Sequence, residues 1–282
     1  MKFCVIGMGH IGIPTALLLA DALIYEKKEG SKYDENIVLG FDIIPNNWDS
    51  ILNKPELKYE KGFPELLARV KKNHTLQFVD ILPEADVFIV AVPTSVKKTG
   101  RDGRKASPDL SPLKHAVRGI AKKLRKDNTV IIESTVPVGT VEKIVKPVLD
   151  KSILKRYGVN NGGDNGNNNP AGKYHLIYSP ERVMPGNMLE ELCNNPRIIG
   201  AFSKKGFEKA KKVYSLFCKG RLFYTDVRTA EIIKLMENTY RAVNISLANE
   251  FSEIAFLNGI DCHRAIALAN THPRVKIHLP GA

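Results

Sequence analysis

The chain has 282 residues, of which 43% are hydrophobic and 26% charged, with a formal net charge of +12. That length holds one large domain, or a full domain and part of a second, and the composition is ordinary for a globular protein. It excludes a bilayer-spanning helix, because no apolar run approaches the ~20 residues required.

The four cysteines, Cys4, Cys193, Cys218 and Cys262, are scattered, with no CxxC pair and no histidine at metal spacing. This pattern argues against zinc or another bound metal and for reduced thiols in the cytoplasm. Much of the positive charge falls in Lys97–Lys126, read as a flexible loop followed by a lysine-rich helix face. No aromatic residue interrupts it as a base-stacking platform requires, so a solvated surface is expected and nucleic acid is not. Its secondary effect is a general pull toward phosphorylated small molecules.

The chain opens MKFCVIGMGHIG, whose apolar run enters a glycine pattern rather than a cleavage site and therefore reads as a first strand, Lys2–Ile6. A helix follows over Ile11–Leu23, then a strand Ile37–Phe41 ending at Asp42, a weaker strand Leu76–Val79 and a strong one, Asp86–Val92. Leu110–Leu124 reads as a helix, Thr129–Glu133 as a buried strand and Thr140–Leu149 as a helix. Residues 158–172, rich in Asn and Gly, read as a surface insertion, since they lack apolar area to offset the entropy of ordering. Strands Tyr174–Tyr178 and Arg197–Ala201, helix Lys204–Phe217 and strand Arg221–Thr225 complete the alternation. From Thr229 to Gly259 the pattern becomes one long amphipathic helix. Strands alternating with helices predict an α/β, Rossmann-like, doubly wound parallel sheet over residues 1–225, with a central helical domain opening at 226–282.

Gly7-Met8-Gly9-His10-Ile11-Gly12 is a GxGxxG turn placed directly after a strand and at the start of a helix. Gly7 permits the tight turn, Gly9 the approach of a diphosphate, Gly12 close helix–strand packing, and the free N–H groups at His10 and Ile11 lie at the positive helix end. Asp42, at the end of the second strand, is positioned to accept from ribose hydroxyls and to repel a 2′-phosphate, which favours NAD over NADP. Its spacing from Gly12 is lengthened by an insertion at 27–36. Two further loops, AVPTS with Pro93 and Thr94, and STVPVGT with Thr135, leave strand ends where a cofactor lies in such a sheet. In YSPERVMPG, Pro180 and Pro185 bracket Glu181 and restrict the backbone that carries it. Lys234 and Asn238, four apart on the long helix, project from one face and together suit an oxyanion.

With VIGMGHIGIPTALLLA, DVFIVAVPTS, ESTVPVGT, SPERVMPG, NPRIIGA, AEIIKLMENTYRAVNISLANE and NGID in this order, the sequence resembles the nucleotide-sugar 6-dehydrogenases, the UDP-glucose/GDP-mannose dehydrogenase family. SPERVMPG, in place of the NPExLxEG form of UDP-glucose enzymes, and THPRV near the end are similar to the branch acting on N-acetylhexosamines. The resemblance implies a cytoplasmic, NAD-dependent oxidation of the C6 alcohol of a UDP-sugar to a carboxylate, by two hydride transfers through a cysteine thiohemiacetal and thioester. It implies that Glu181, helped by Thr135, directs the hydrolytic water, that Lys234 and Asn238 hold oxyanions, and that two copies pair through the helix 229–259. Arg182 is a further candidate contact to sugar or phosphate.

In the family the nucleophilic cysteine lies in a GGxC segment after a region like THPRVKIHLPG, and this sequence ends at Ala282 without one. Cys262, in GIDCHRA, reads as a packing or surface thiol, and Cys4 as a core residue. The expectation is a chain cut before its nucleophile, without the C-terminal UDP-binding domain, and inactive alone. Three alternatives stand beside this reading: a UDP-glucose 6-dehydrogenase, a β-hydroxyacid dehydrogenase, which shares the Lys-x-x-x-Asn helix but lacks SPERxxPG, and a non-catalytic NAD-binding module.

Overall fold

The computed structural model describes residues 1–25, 36–44, 52, 57, 59–99, 105–158, 173–184 and 186–281. Most of the two expected insertions, and Pro185, lie outside the described residues. The chain forms two compact units, Met1–Glu231 and Ile232–Ala282, each considered by itself.

The first unit contains, in order, β1 (Lys2–Ile6), α1 (Gly12–Tyr25), β2 (Ile37–Phe41), α2 (Phe63–Asn73), β3 (Leu76–Val79), β4 (Val87–Val90), β5 (Val96–Thr99) and β6 (Lys105–Pro108). It continues with α3 (Ser111–Lys123), β7 (Thr129–Ile132), α4 (Lys146–Tyr157), β8 (His175–Tyr178), α5 (Met188–Asn194), β9 (Arg197–Ala201), α6 (Lys204–Tyr214) and β10 (Leu222–Thr225). Eight strands pair in the order β10-β9-β8-β7-β4-β1-β2-β3. The six from β3 to β8 in that row are parallel, whereas β9 pairs antiparallel with β8 and β10 runs parallel to β9. The all-parallel sheet expected from the alternation is therefore corrected at its last two strands.

The central strands read as unbroken apolar runs because both of their faces are covered. Successive side chains point to opposite faces, so Phe3, Val5, Val87, Ile89, Ile131 and Ile177 enter one core with α1, α2, α5 and α6. Cys4, Ile6, Phe88, Val90, Val130, Ile132, Leu176 and Tyr178 enter the other core with α3 and α4. The helix expected over Thr140–Leu149 begins instead as a π-helical turn, Val141–Val145, in which the Lys146 N–H reaches back to the Val141 carbonyl. Pro147, next in line, has no N–H to continue a regular ladder. The region read as a basic loop after β4 contains the β5–β6 antiparallel hairpin, whose tip lies outside the described residues.

The second unit consists of the body of α7 (Val227–Leu257), α8 (Cys262–Ala269) and a tail. Asp261 caps α8 by accepting from the Arg264 N–H, and Gly259, at φ 66°, makes the turn between the helices. The tail returns along the unit: Asn270 exchanges two hydrogen bonds with Ile277, and Asn249 two with Gly281. Among the described residues, no helix is long and apolar enough to cross a membrane.

The order of strands reverses between β1 and β4, so the loops after these two strands diverge and leave a crevice. Here backbone packs on backbone. A β-carbon on Gly7, whose φ is +92°, would lie 2.6 Å from the Ala91 carbonyl oxygen, and one on Gly12 would lie 1.9 Å from the Gly7 carbonyl oxygen. At Gly9 a β-carbon would meet nothing within 4 Å among the described residues. Gly12→Ala is therefore predicted to destabilise the fold by about 2–4 kcal/mol, against ~0.5 kcal/mol or less for Gly9→Ala, by urea denaturation. Equal losses at the two positions would contradict the packing described.

Candidate functional site

The GxGxxG turn is fixed before any ligand arrives. The Gly7 N–H donates to the Phe41 carbonyl at 2.9 Å, and the Met8 N–H donates to Asp42 Oδ2 at 2.7 Å. Helix α1 then starts with the Gly9 and Ile11 carbonyls accepting from Ile13 and Thr15, leaving the earlier N–H groups unclaimed by the helix. No acidic side chain occupies its first turn, so the positive helix end is not neutralised. His10 is exposed and Ile11 half-buried. The open space at Gly9, next to free N–H groups, is the shape a diphosphate requires, and these residues fit the dinucleotide expected from the sequence.

Asp42 stands where predicted, at the end of β2, but its carboxylate also braces the turn. Besides Met8, it accepts from the Ile44 N–H at 3.3 Å through Oδ1. A carboxylate offers about four lone-pair directions, so acceptor capacity remains for ribose hydroxyls.

The loops after β4 and β7 are joined. Thr94 Oγ1 donates to the Thr135 carbonyl at 2.7 Å, and Ser134 Oγ donates to the Val92 carbonyl at 2.7 Å. Pro93 is exposed, and Thr94 and Thr135 are half-buried. Glu231, fully buried, accepts from the Gly139 N–H at 2.5 Å and the Val141 N–H at 2.9 Å, satisfying the start of the π turn and pinning the loop that carries Thr135. Sequence reasoning missed this residue, because its partners lie about ninety residues away.

Glu181 leaves β8 and is only 8% exposed. The loop behind it is tied at several points. Arg182 donates through Nη1 to the Pro196 carbonyl at 2.9 Å, the Met184 N–H to Glu191 at 2.8 Å, and the Gly186 N–H to the buried Glu60 at 2.9 Å. Arg182 thus serves the loop itself. Glu181 Oε1 accepts from the Arg182 N–H at 2.6 Å, and its Oε2 accepts from Arg197 Nη2 at 2.9 Å.

Arg197 is in turn 4% exposed, with its Nη1 3.2 Å from Oε1 of Glu133, which is also buried. Tyr214 donates to the same Glu133 oxygen at 2.8 Å and stacks its ring 4.3 Å from the guanidinium carbon. Burial pushes the Glu133 carboxyl up to about 7, with the Arg197 charge opposing that rise and the Glu181 charge adding to it. Glu133 and Arg197 stand in the quoted ESTVPVGT and NPRIIGA stretches, yet neither is assigned a role from sequence. The only signal available was a charge at the end of an otherwise apolar strand.

Lys234 and Asn238 belong to the second unit, one helical turn apart on α7 and both half-buried. Asn238 Oδ1 accepts from Arg241 Nη2 at 3.1 Å. Of the thiols, Cys4 is buried in β1, and burial pushes it up to about 12, far from a nucleophile's range. A cavity of about 810 Å³ opens at the opposite, amino-terminal edge of the strands, lined by residues including Asp86, Thr129, Lys209 and Lys212. It lies away from the crevice, whereas ligands of open α/β sheets bind beyond the carboxyl ends of the strands.

Residues 1–218 match the model of the UDP-glucose/GDP-mannose dehydrogenase family, NAD binding domain, and residues 228–282 match that of the family's central domain. A UDP-N-acetyl-D-mannosamine dehydrogenase of Pyrococcus horikoshii is 40% identical over 287 residues, covering 100% of this chain and 60% of the relative. One of Methanocaldococcus jannaschii is 40% identical over 286 residues, covering 99% of this chain and 57% of the relative. The solved structure of a UDP-N-acetyl-mannosamine dehydrogenase from Staphylococcus aureus is 37% identical with a TM-score of 0.78, covering 100% of this chain and 61% of that one. The chain thus spans about 60% of the length of these relatives. The chain belongs to the UDP-glucose/GDP-mannose dehydrogenase family, and residues 1–218 are its NAD-binding domain.

Proposed function

We propose that this chain serves the NAD-dependent oxidation of the C6 alcohol of UDP-N-acetyl-D-mannosamine to UDP-N-acetyl-D-mannosaminuronate, in a cytoplasmic pathway of polysaccharide biosynthesis. The observation that carries the reading is the identity of about 40% with enzymes of that name across the whole chain. NAD, when bound, supplies the hydride acceptor.

The chain's own residues account for the rest. The Gly7–Gly12 turn seats the diphosphate, and Asp42 takes the ribose hydroxyls and repels a 2′-phosphate. Glu181 holds and deprotonates the attacking water. Both of its oxygens carry one hydrogen bond, which leaves each a lone pair for that water. Thr135 assists from the neighbouring loop, and Lys234 and Asn238 stabilise the oxyanions that form at C6. Cys262 opens α8 outside any GGxC segment and is not assigned as the thiol that captures the aldehyde.

The same reading makes the protein a homodimer built on α7. Met236, Tyr240, Val243, Leu247 and Ile254 recur there at three- and four-residue steps or their sums, and are between 44% and 61% exposed. That is the seam a second helix covers.

Calorimetry is expected to show NAD⁺ binding at least ~10-fold tighter than NADP⁺, a discrimination that Asp42→Ala abolishes. Equal affinities in the unaltered chain would refute the assignment of Asp42. In the protein as it occurs in the cell, NADH should form from UDP-N-acetylmannosamine and not from UDP-glucose, and Glu181→Gln should lower kcat ~100-fold or more while NAD⁺ affinity holds. NAD⁺ binding with no turnover of either sugar would favour the non-catalytic module. Light scattering is expected to give twice the chain mass, and Val243→Glu the monomer; a monomeric unaltered chain would remove the helix seam.

A further inference from the structure

Resting on the reading of Glu181 as the water-directing group, we propose that Arg197 and Glu133 are its positioning residues. In this arrangement the guanidinium fixes the plane of the Glu181 carboxylate, and Glu133 fixes the guanidinium.

Tyr178 on β8 pairs with Gly200 on the antiparallel β9. Continuing three residues along each strand sets Glu181 opposite Arg197, so the pairing is built into the sheet. A buried guanidinium is tolerable only when its charge and donors are met. Arg197 meets them on two sides with its planar fork, Nη2 on Glu181 and Nη1 on Glu133.

Glu133 cannot drift, because Tyr214 donates to the oxygen that Arg197 also holds, and Thr15 Oγ1 of α1 lies 3.5 Å from the other oxygen. The Tyr214 ring supports the guanidinium from one face. Groups from the ends of β7 and β8 and from α6 thus meet on one cation, and its outward arm ends on Glu181. The titratable groups facing Arg197 include Glu181, Tyr214, Glu133, Cys218 and Cys193, and those facing Glu133 include Arg197, Glu181 and Tyr214. A carboxylate that aims a water must be held to a small angular tolerance, and a fork braced at its far end supplies that.

A lysine offers a point charge in place of the fork, so Arg197→Lys keeps the charge and loses the alignment. The test is a carbon-13 titration of the glutamate carboxyls in the full chain, with Glu133 identified from its loss in Glu133→Gln. The Glu133 midpoint, near 7 in the unaltered protein, is expected to fall by about one pH unit in Glu181→Gln and to rise by about as much in Arg197→Met. If Arg197→Met fails to fold, Glu181→Gln and Arg197→Lys carry the test. A Glu133 midpoint unmoved by Glu181→Gln would overturn the proposal.

Thermal melts give a second readout. A carboxyl that holds its proton longer folded than unfolded costs stability as pH rises from about 5 to 7, so Glu133→Gln should flatten that slope. An unchanged slope counts against the pair. In the whole enzyme, Glu133→Gln and Arg197→Lys should each lower kcat ~10-fold or more and leave the sugar KM and NAD⁺ affinity within twofold, and Glu133→Gln should also remove a pH-dependence near 7. A merely structural role would leave that profile in place. A coupled titration in an enzyme whose turnover survives Glu181→Gln keeps the clamp and removes the catalytic reading. An uncoupled titration in an enzyme that needs Glu181 removes the clamp alone.

Discussion

Backbone can lie against backbone only where no β-carbon intervenes, and the first unit turns on two such places. The carbonyl of Gly7 occupies the space a side chain at Gly12 would need, and Gly7 itself sits against Ala91 at the end of β4. These contacts bring the first helix down onto the sheet at the point where strand order reverses. Everything at the crevice inherits its position from them: Asp42 through the Met8 N–H, the β4 loop through Ala91, and the β7 loop through the bond from Thr94 to Thr135. Gly9, unlike Gly7 and Gly12, has nothing against it among the described residues, and there the fold leaves room for a ligand.

One strand further along, the constraint changes from close packing to charge. Glu133 and Glu181 end neighbouring strands, and both are taken out of water. Two carboxylates in that position repel, and a single buried arginine from the reversed strand β9 lies between them. The reversal is what makes this possible: a β9 parallel to β8 would start at the other edge of the sheet. The antiparallel turn of the last two strands is thus tied to the site as well as to the architecture.

Much of this was legible before any coordinates. Unbroken apolar runs such as Val87–Val90 and Thr129–Ile132 identify strands buried on both faces, and the glycine turn, Asp42 and the threonine loops follow from chemistry tied to the ends of those strands. Helix α2 was missed although Phe63, Leu66 and Val70 recur at helical spacing, because its charged remainder and neighbouring proline masked the stripe. The β5–β6 hairpin was missed because Val96–Thr99 carries two lysines and no apolar alternation. The direction of β9 is a property of the chain's path, to which its own five residues are indifferent. Arg197, Glu133 and Glu231 were unreadable for a related reason, since a charge has a role only when its partner is known, and here the partners lie 16 to 92 residues away.

We place the dinucleotide in the crevice formed by the carboxyl ends of β1, β4 and β7. Amide nitrogen-15 spectra recorded while NAD⁺ is added to the 282-residue chain test it most directly. The largest shifts should fall on Gly9–Gly12, on the residues flanking Asp42, and on Thr94 and Thr135. Shifts confined to Lys209–Leu216, around the cavity at the opposite edge of the sheet, would contradict it.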